Sequence, residues 1–207
     1  MKKILVLNPK GGCGKTTVAT NLASYYALWD INTALVDYDP QKSSLDWLEA
    51  RPSTAPVIAG LDGTKGGINH SKKVQRVIMD APARVDNRQM SNLVRTADAV
   101  IIPVLASPID IRASGKFVAN LLMSSSRKGT KLGVIGNRVK ENTQIFGRLE
   151  EFFKTIKIPV VTHLRDSQNY VRSAQTGLGV FDMAPSAVER EIEQWRPLLY
   201  WIEGKRR

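Results

Sequence analysis

Residues Leu7–Thr17 read LNPKGGCGKTT, and the fold turns on them. A strand-like apolar run, KKILVLN, leads into the stretch, and a helix-like pattern leaves it near Thr16. Three glycines, Gly11, Gly12 and Gly14, form a tight turn between the two. Such a turn lets backbone N–H groups converge on phosphate oxygens, and the start of the following helix adds partial positive charge. Lys15 is placed to reach the outer phosphates of a bound nucleotide, and the Thr16 hydroxyl to ligate Mg²⁺. The common pattern G-x-x-x-x-G-K-[ST] nevertheless fails by one residue, because Pro9 stands where its first glycine belongs. A second lysine, Lys10, lies five residues before Lys15, although one lysine neutralises a bound phosphate.

Outward from this stretch, short apolar runs alternate with helix-like segments. Strands are expected at Ile4–Asn8, Thr33–Asp37, Val74–Asp80, Ala99–Val104, Leu132–Asn137 and Pro159–Thr162. Helices are expected at Thr16–Trp29, Ser43–Ala50, Arg88–Thr96, Ile111–Ser126, Gln144–Thr155 and Ser186–Ile202. Alternation of this kind implies an α/β fold: a three-layer, doubly wound, mostly parallel sheet flanked by helices. The glycine-rich Ala59–Ser71 reads as a mobile surface loop, with His70 solvent-exposed in it. No linker separates two units, so residues 1–207 are expected to form one domain. Ligands of such sheets sit beyond the carboxyl ends of the strands, and every motif here falls at such an end.

Acids follow in a telling order. The second strand ends in LVDYDPQKSS, where Asp37 and Asp39 alternate along an extended segment and project to the same side. Two carboxylates there can hold a Mg²⁺ water shell and orient an attacking water. A third acid, Asp80, ends the apolar run VQRVIMD and suits a water-mediated Mg²⁺ contact. The only cysteine, Cys13, precludes an internal disulfide framework or a cysteine-held metal cluster within one chain, and reads as a small spacer.

The box KGGxGKTT, with Lys10 ahead of the glycines, resembles the deviant phosphate loop of the ParA/MinD family of P-loop ATPases. The resemblance runs over nearly the whole chain and is strongest to short ParA-type partition ATPases. It implies ATP and Mg²⁺ as cofactors, held by Lys10, Gly11, Gly12, Cys13, Gly14, Lys15, Thr16 and Thr17. It further implies a homodimer on ATP binding, in which Lys10 crosses to the nucleotide of the other subunit while Lys15 serves its own. By the same resemblance Asp39 is the acid tied to hydrolysis and, with Thr16 and Asp80, to the metal. Asp37 is a supporting contact near the γ-phosphate, and Asn137 meets the adenine base. Ala81 stands where the family often carries Thr or Cys, so a phosphate contact there has to come from the backbone.

Charge sets the remaining expectations. Lys and Arg number 30 against 19 Asp and Glu, a formal +11. The stretch from Arg112 to Arg172 holds twelve basic and four acidic residues, so +8 of that charge is concentrated there. A polyanion partner fits this excess. The family resemblance implies DNA bound without sequence preference, with Arg127, Lys128, Lys131, Arg165 and Arg172 as candidates and the Lys205–Arg207 tail as another. It also implies an adaptor protein that stimulates hydrolysis and links the ATPase to a cargo: a plasmid, a chromosome or a protein microcompartment such as a carboxysome. A cytoplasmic, nucleoid-associated location follows. A competing reading is a MinD-like membrane-associated ATPase, for which Val188, Ile192, Trp195, Leu199 and Ile202 supply a helical stripe. Pro197 is expected to interrupt that stripe, which favours a last helix packed on the core. A metabolic ATP-dependent enzyme on the same fold is a third reading, and a nucleotide-binding scaffold without turnover a fourth.

Overall fold

The computed structural model describes residues 1–66, 71–84, 86–124 and 129–204. Seven strands form one sheet: β1 (Lys2–Val6), β2 (Thr33–Asp37), β3 (Ala59–Asp62), β4 (Arg76–Asp80), β5 (Ala99–Leu105), β6 (Lys131–Val139) and β7 (Val160–Arg165). Their order is β3-β2-β4-β1-β5-β6-β7, and every pairing is parallel. The sheet is therefore wholly parallel, a stricter arrangement than the mostly parallel one expected. The helices are α1 (Lys15–Leu28), α2 (Ser43–Glu49), α3 (Asn87–Thr96), α4 (Pro108–Ser124), α5 (Gln144–Thr155), α6 (Gln168–Ala174) and α7 (Pro185–Glu203). No helix among the described residues is long and apolar enough to cross a membrane.

Side-chain alternation divides the central strand between two cores. Leu5 belongs to the same core as Met90 and Leu93 of α3, Phe117 and Leu121 of α4, and Leu149 and Phe153 of α5. Ile4 and Val6 belong to the other, with Val18 and Leu22 of α1, Trp47 of α2, and Trp195 and Leu198 of α7. Helices thus cover both faces, as buried parallel strands require. β1 lies between β4 and β5, so the loop leaving it rises from the middle of the sheet.

Three expectations are corrected. Ala59–Asp62 is not loop but the edge strand β3, paired with Ala34–Asp37 of β2, and Gly63–Lys65 continues as a 3-10 turn. Only 67–70 of that segment, including His70, lie outside the described residues. A seventh helix, α6, stands where none was expected, capped by the Ser167 hydroxyl accepting from the Asn169 N–H at 3.2 Å. Pro197 does not interrupt α7; the one non-helical residue inside it is Val188. Val188, Trp195, Leu199 and Ile202 are buried against the sheet and Ile192 packs beside them. The stripe is core, which takes away the free apolar face that the membrane reading needs.

Candidate functional site

The strand tips set the geometry. Val6 of β1 is level with Asp80 of β4, and Asp80 with Asp37 of β2. The glycine loop therefore emerges beside two carboxylates on neighbouring strands. Asn8 anchors its first turn: its side-chain amide donates to the Pro103 carbonyl at 2.8 Å, and its oxygen accepts from the Lys10 N–H at 3.0 Å. Lys15, at the start of α1, is buried and folds back so that its ammonium donates to the Lys10 carbonyl at 3.1 Å. Lys10 itself is half-buried, and among the described residues no carboxylate forms an ion pair with it.

Gly12 and Gly14 sit at φ 76° and 88°, in the left-handed region where a side chain is strained. Gly14 has a second constraint: a Cβ there would stand 2.2 Å from the Asn137 amide nitrogen. That nitrogen donates to the Cys13 carbonyl at 2.8 Å, so Asn137, at the tip of β6, clasps the loop from behind. Cys13 is buried, and burial pushes its thiol pKa up while the Lys15 charge only partly offsets this. The thiol is held protonated, consistent with a spacer.

The three acids play different parts. Asp37 is fully buried, and one carboxylate oxygen accepts from the Ser44 hydroxyl at 2.7 Å and the Ser44 N–H at 2.9 Å. Its other oxygen accepts from the Asp39 N–H at 2.8 Å. Asp37 thus fastens the start of α2 and the Asp39 turn, and its acceptors are committed to that task. Asp39 is half-buried; one oxygen accepts from the Gln41 N–H at 3.0 Å and the other from the Ala83 N–H at 3.3 Å. The turn after β4 therefore reports to Asp39 through Ala83, while the Ala81 N–H is taken by the Val6 carbonyl at 3.2 Å.

Asp80 is 1% exposed, and its Oδ1 lacks a hydrogen-bond donor among the described residues. Burial, first of all, raises its pKa to about 7; the Thr16 hydrogen bond and the Lys15 charge oppose that rise, and the Asp37 and Asp39 charges add to it. A buried carboxylate with a free oxygen, joined to a loop hydroxyl and ringed by acids, is a donor set suited to a hard divalent cation. Thr16, Asp80 and Asp39 could hold Mg²⁺ on this chemistry.

Beside the loop opens a cavity of about 580 Å³. Thr17 and Asn137 form its inner wall, Asp166 its rim, and Tyr170, Val171 and Ala174 of α6 its far side. Sequence reasoning found Asn137 but not the α6 wall. The signal was present in Ser167, an N-cap residue ahead of a helix-forming run. Of the basic candidates, Arg165 ends β7 on the same rim as the loop, and Arg172 is exposed on α6. Lys131 begins β6 at the opposite rim, where its ammonium donates to the Trp201 carbonyl at 3.2 Å. The structure does not bring these three together. Arg127, Lys128 and Lys205–Arg207 lie outside the described residues.

Comparison with known proteins adds the following. Residues 4–180 match the CobQ/CobB/MinD/ParA nucleotide binding domain. Over 190 residues, 87% of each chain, the sequence is 27% identical to the maintenance of carboxysome distribution protein A of Halothiobacillus neapolitanus. A protein of the same name from Gloeobacter kilaueensis is 28% identical over 184 residues, 86% of this chain and 82% of that one. In fold, the chain is similar to a single-substitution variant of Cyanothece McdA in complex with ATP, at TM-score 0.71 and 17% identity, with coverage of 100% and 98%.

Proposed function

We propose, from the premise that this chain belongs to the CobQ/CobB/MinD/ParA family of nucleotide-binding domains, that it is a ParA-like ATPase that positions a cargo. One observation carries the reading. The loop holds its own Lys15 turned inward against the Lys10 carbonyl, while Lys10 stands half-exposed without an acidic partner among the described residues. A cation so placed is available to a second nucleotide. Dimerisation that needs Lys10 in trans would then depend on a bound triphosphate.

ATP would sit with its phosphates on the Gly11–Thr17 loop and its base in the cavity between Asn137 and α6. Lys15 would exchange the Lys10 carbonyl for phosphate oxygens. Thr16 and Asp80 would hold Mg²⁺, whose chemistry is to bridge and neutralise phosphate oxygens. Asp39, fixed by Asp37 on one side and joined to Ala83 on the other, would orient the water that attacks the γ-phosphorus. The bond to the bridging oxygen then breaks, releasing ADP and phosphate. Asp39→Ala should keep nucleotide binding and lose hydrolysis.

The basic excess supports non-specific duplex DNA as the surface on which the ATP dimer rests, and so a nucleoid-associated place in the cytoplasm. An adaptor protein that stimulates hydrolysis would release the dimer and link it to a plasmid, a chromosome or a protein microcompartment. The similarity to proteins named for carboxysome distribution favours the last of these. The whole of 1–207 is proposed to act as one domain.

The deciding measurement is DNA binding with ATP, ADP or no nucleotide, at two salt concentrations, for the native chain and Lys10→Ala. Binding that needs ATP, weakens with salt and disappears in the variant is expected. Binding indifferent to nucleotide would leave only electrostatics, and no binding would remove DNA from the proposal.

A further inference from the structure

Lys42 adopts a backbone that a side chain disfavours. Its φ of 54° and ψ of 30° lie in the left-handed region, where a lysine is strained and a glycine is not. It stands at the N-cap of α2, yet a lysine has no acceptor with which to cap a helix. Strain of this kind persists where the surroundings impose it. Backbone bonds close the turn: the Lys42 N–H donates to the Asp39 carbonyl at 2.9 Å, and the Lys42 carbonyl accepts from the Leu45 and Asp46 N–H groups at 3.0 and 2.9 Å. A glycine would make all three bonds, so they do not explain a lysine.

The lysine side chain reaches the neighbouring strand. Its ammonium lies 2.8 Å from Oδ2 of Asp62, the last residue of β3, which is level with Asp37 of β2. The other oxygen of Asp62 accepts from the Thr64 N–H at 3.0 Å and from the Thr64 hydroxyl, so the 3-10 turn after β3 fixes the carboxylate. The Lys42 ammonium, first, and the Thr64 bonds hold the Asp62 carboxyl well below the ordinary carboxylate range. A second contact joins the same two turns: a Cβ on Gly63 would stand 2.7 Å from the Tyr38 ring. Asp39 is therefore held twice. Asp37 and Ala83 bind its N–H and one carboxylate oxygen, and Asp62 acts on its carbonyl through Lys42.

We propose that Asp62 is a positioning residue for Asp39: by its pair with Lys42 it latches the 39–42 turn in the strained form and so sets the acid that would orient the attacking water. The effect on hydrolysis rests on the proposed ATPase reading, but the latch itself does not. Glycine separates the latch from any other use of the lysine, because a Lys42→Gly turn takes the left-handed backbone without strain and needs no latch.

The test reads amide hydrogen exchange across 38–46 in the nucleotide-free protein by mass spectrometry. Asp62→Asn, which keeps an acceptor for Thr64 and loses the charge, is expected to speed exchange there roughly two- to fivefold and leave the central strands unchanged. In the Lys42→Gly background the same change should have no effect. Exchange indifferent to Asp62→Asn, or accelerated equally in both backgrounds, overturns the proposal. Should exchange rise throughout the chain, Asp62→Asn has loosened the fold, and the decision passes to Lys42. The latch then requires that Lys42→Gln speed exchange across 38–46 and that Lys42→Gly, corrected for intrinsic rates, not do so; an equal response of the two overturns it. In ATP hydrolysis, Asp62→Asn should lower kcat roughly two- to fivefold with KM unchanged, and only where Lys42 is present. A kcat that falls equally in both backgrounds overturns the positioning role. If the native chain does not hydrolyse ATP, the ATPase reading fails and the latch stands or falls on exchange alone.

Discussion

The Asp80 carboxyl binds a proton more tightly in the folded protein than in the unfolded chain, since its pKa rises from 3.8 to about 7. Stability therefore falls as pH climbs between those values and stays low above the upper one. Asp80→Asn should stabilise the metal- and nucleotide-free protein by roughly 2 kcal/mol at pH 5 and by about twice that at pH 8. Denaturant melts at the two pH values check this, and a gain that ignores pH would refute it. On the proposed reading, that cost is offset when Asp80 takes up a cation. Sequence alone pointed to Asp80, Lys15 and Thr16, because the loop and the strand-ending acid are local patterns. It could not give the work of Asp37 or Asn137. Asp37 is occupied by Ser44, across a turn, and Asn137 reaches Cys13 from 124 positions away. A polar side chain reads the same in sequence whether it meets ligand or backbone.

Between elements, the clamp joining α2 to the segment after α6 has a comparable character. Arg51 donates to both carboxylate oxygens of Asp182, at 2.9 and 3.1 Å, and both side chains are buried. Trp47 adds a bond to the Leu178 carbonyl at 3.2 Å, and Gly177, at φ 66°, lets the backbones meet. A Cβ on Gly177 would stand 2.2 Å from the Arg51 nitrogen. Burial by itself would raise the Asp182 pKa; hydrogen bonds from Arg51, the Gly179 N–H and Ser24 outweigh it and hold the pKa low. The pair contributes fully above the ordinary carboxylate range and is lost as pH falls through the lowered value. Asp182→Ala strands a buried guanidinium and should cost about 3–5 kcal/mol, measured at neutral pH by denaturant unfolding. A loss within experimental error would show that the clamp is dispensable. This is also the region the sequence concealed. β3 is four residues long with a glycine in it, too short for periodicity to declare, whereas the six longer strands each carry an apolar run. α6, at seven residues, is no shorter than α2, which was expected, so its length alone does not account for the miss.

Over the whole molecule, the two rims of the sheet divide the described DNA candidates. Arg165 and Arg172 lie on the loop side, whereas Lys131 is tied to α7 at the other rim. Of these three, one duplex resting on the loop side would meet the first two. Arg165→Ala and Arg172→Ala should each lower the salt dependence of DNA binding by about one unit of slope, and Lys131→Ala should leave it unchanged. Titrations at several ionic strengths decide, and an equal effect of all three would mean a diffuse field without a docking side. Another feature of the loop side has an optical meaning. Tyr170 lines the cavity and accepts from the Trp195 indole N–H at 2.9 Å, and Trp195 is fully buried. A base entering the cavity would lean on the tyrosine and disturb the hydrogen bond that sets the indole's emission. On the proposed seating of the base, Trp195, one of four tryptophans, would report occupancy, and a Tyr170→Phe variant should remove its share of the response to nucleotide.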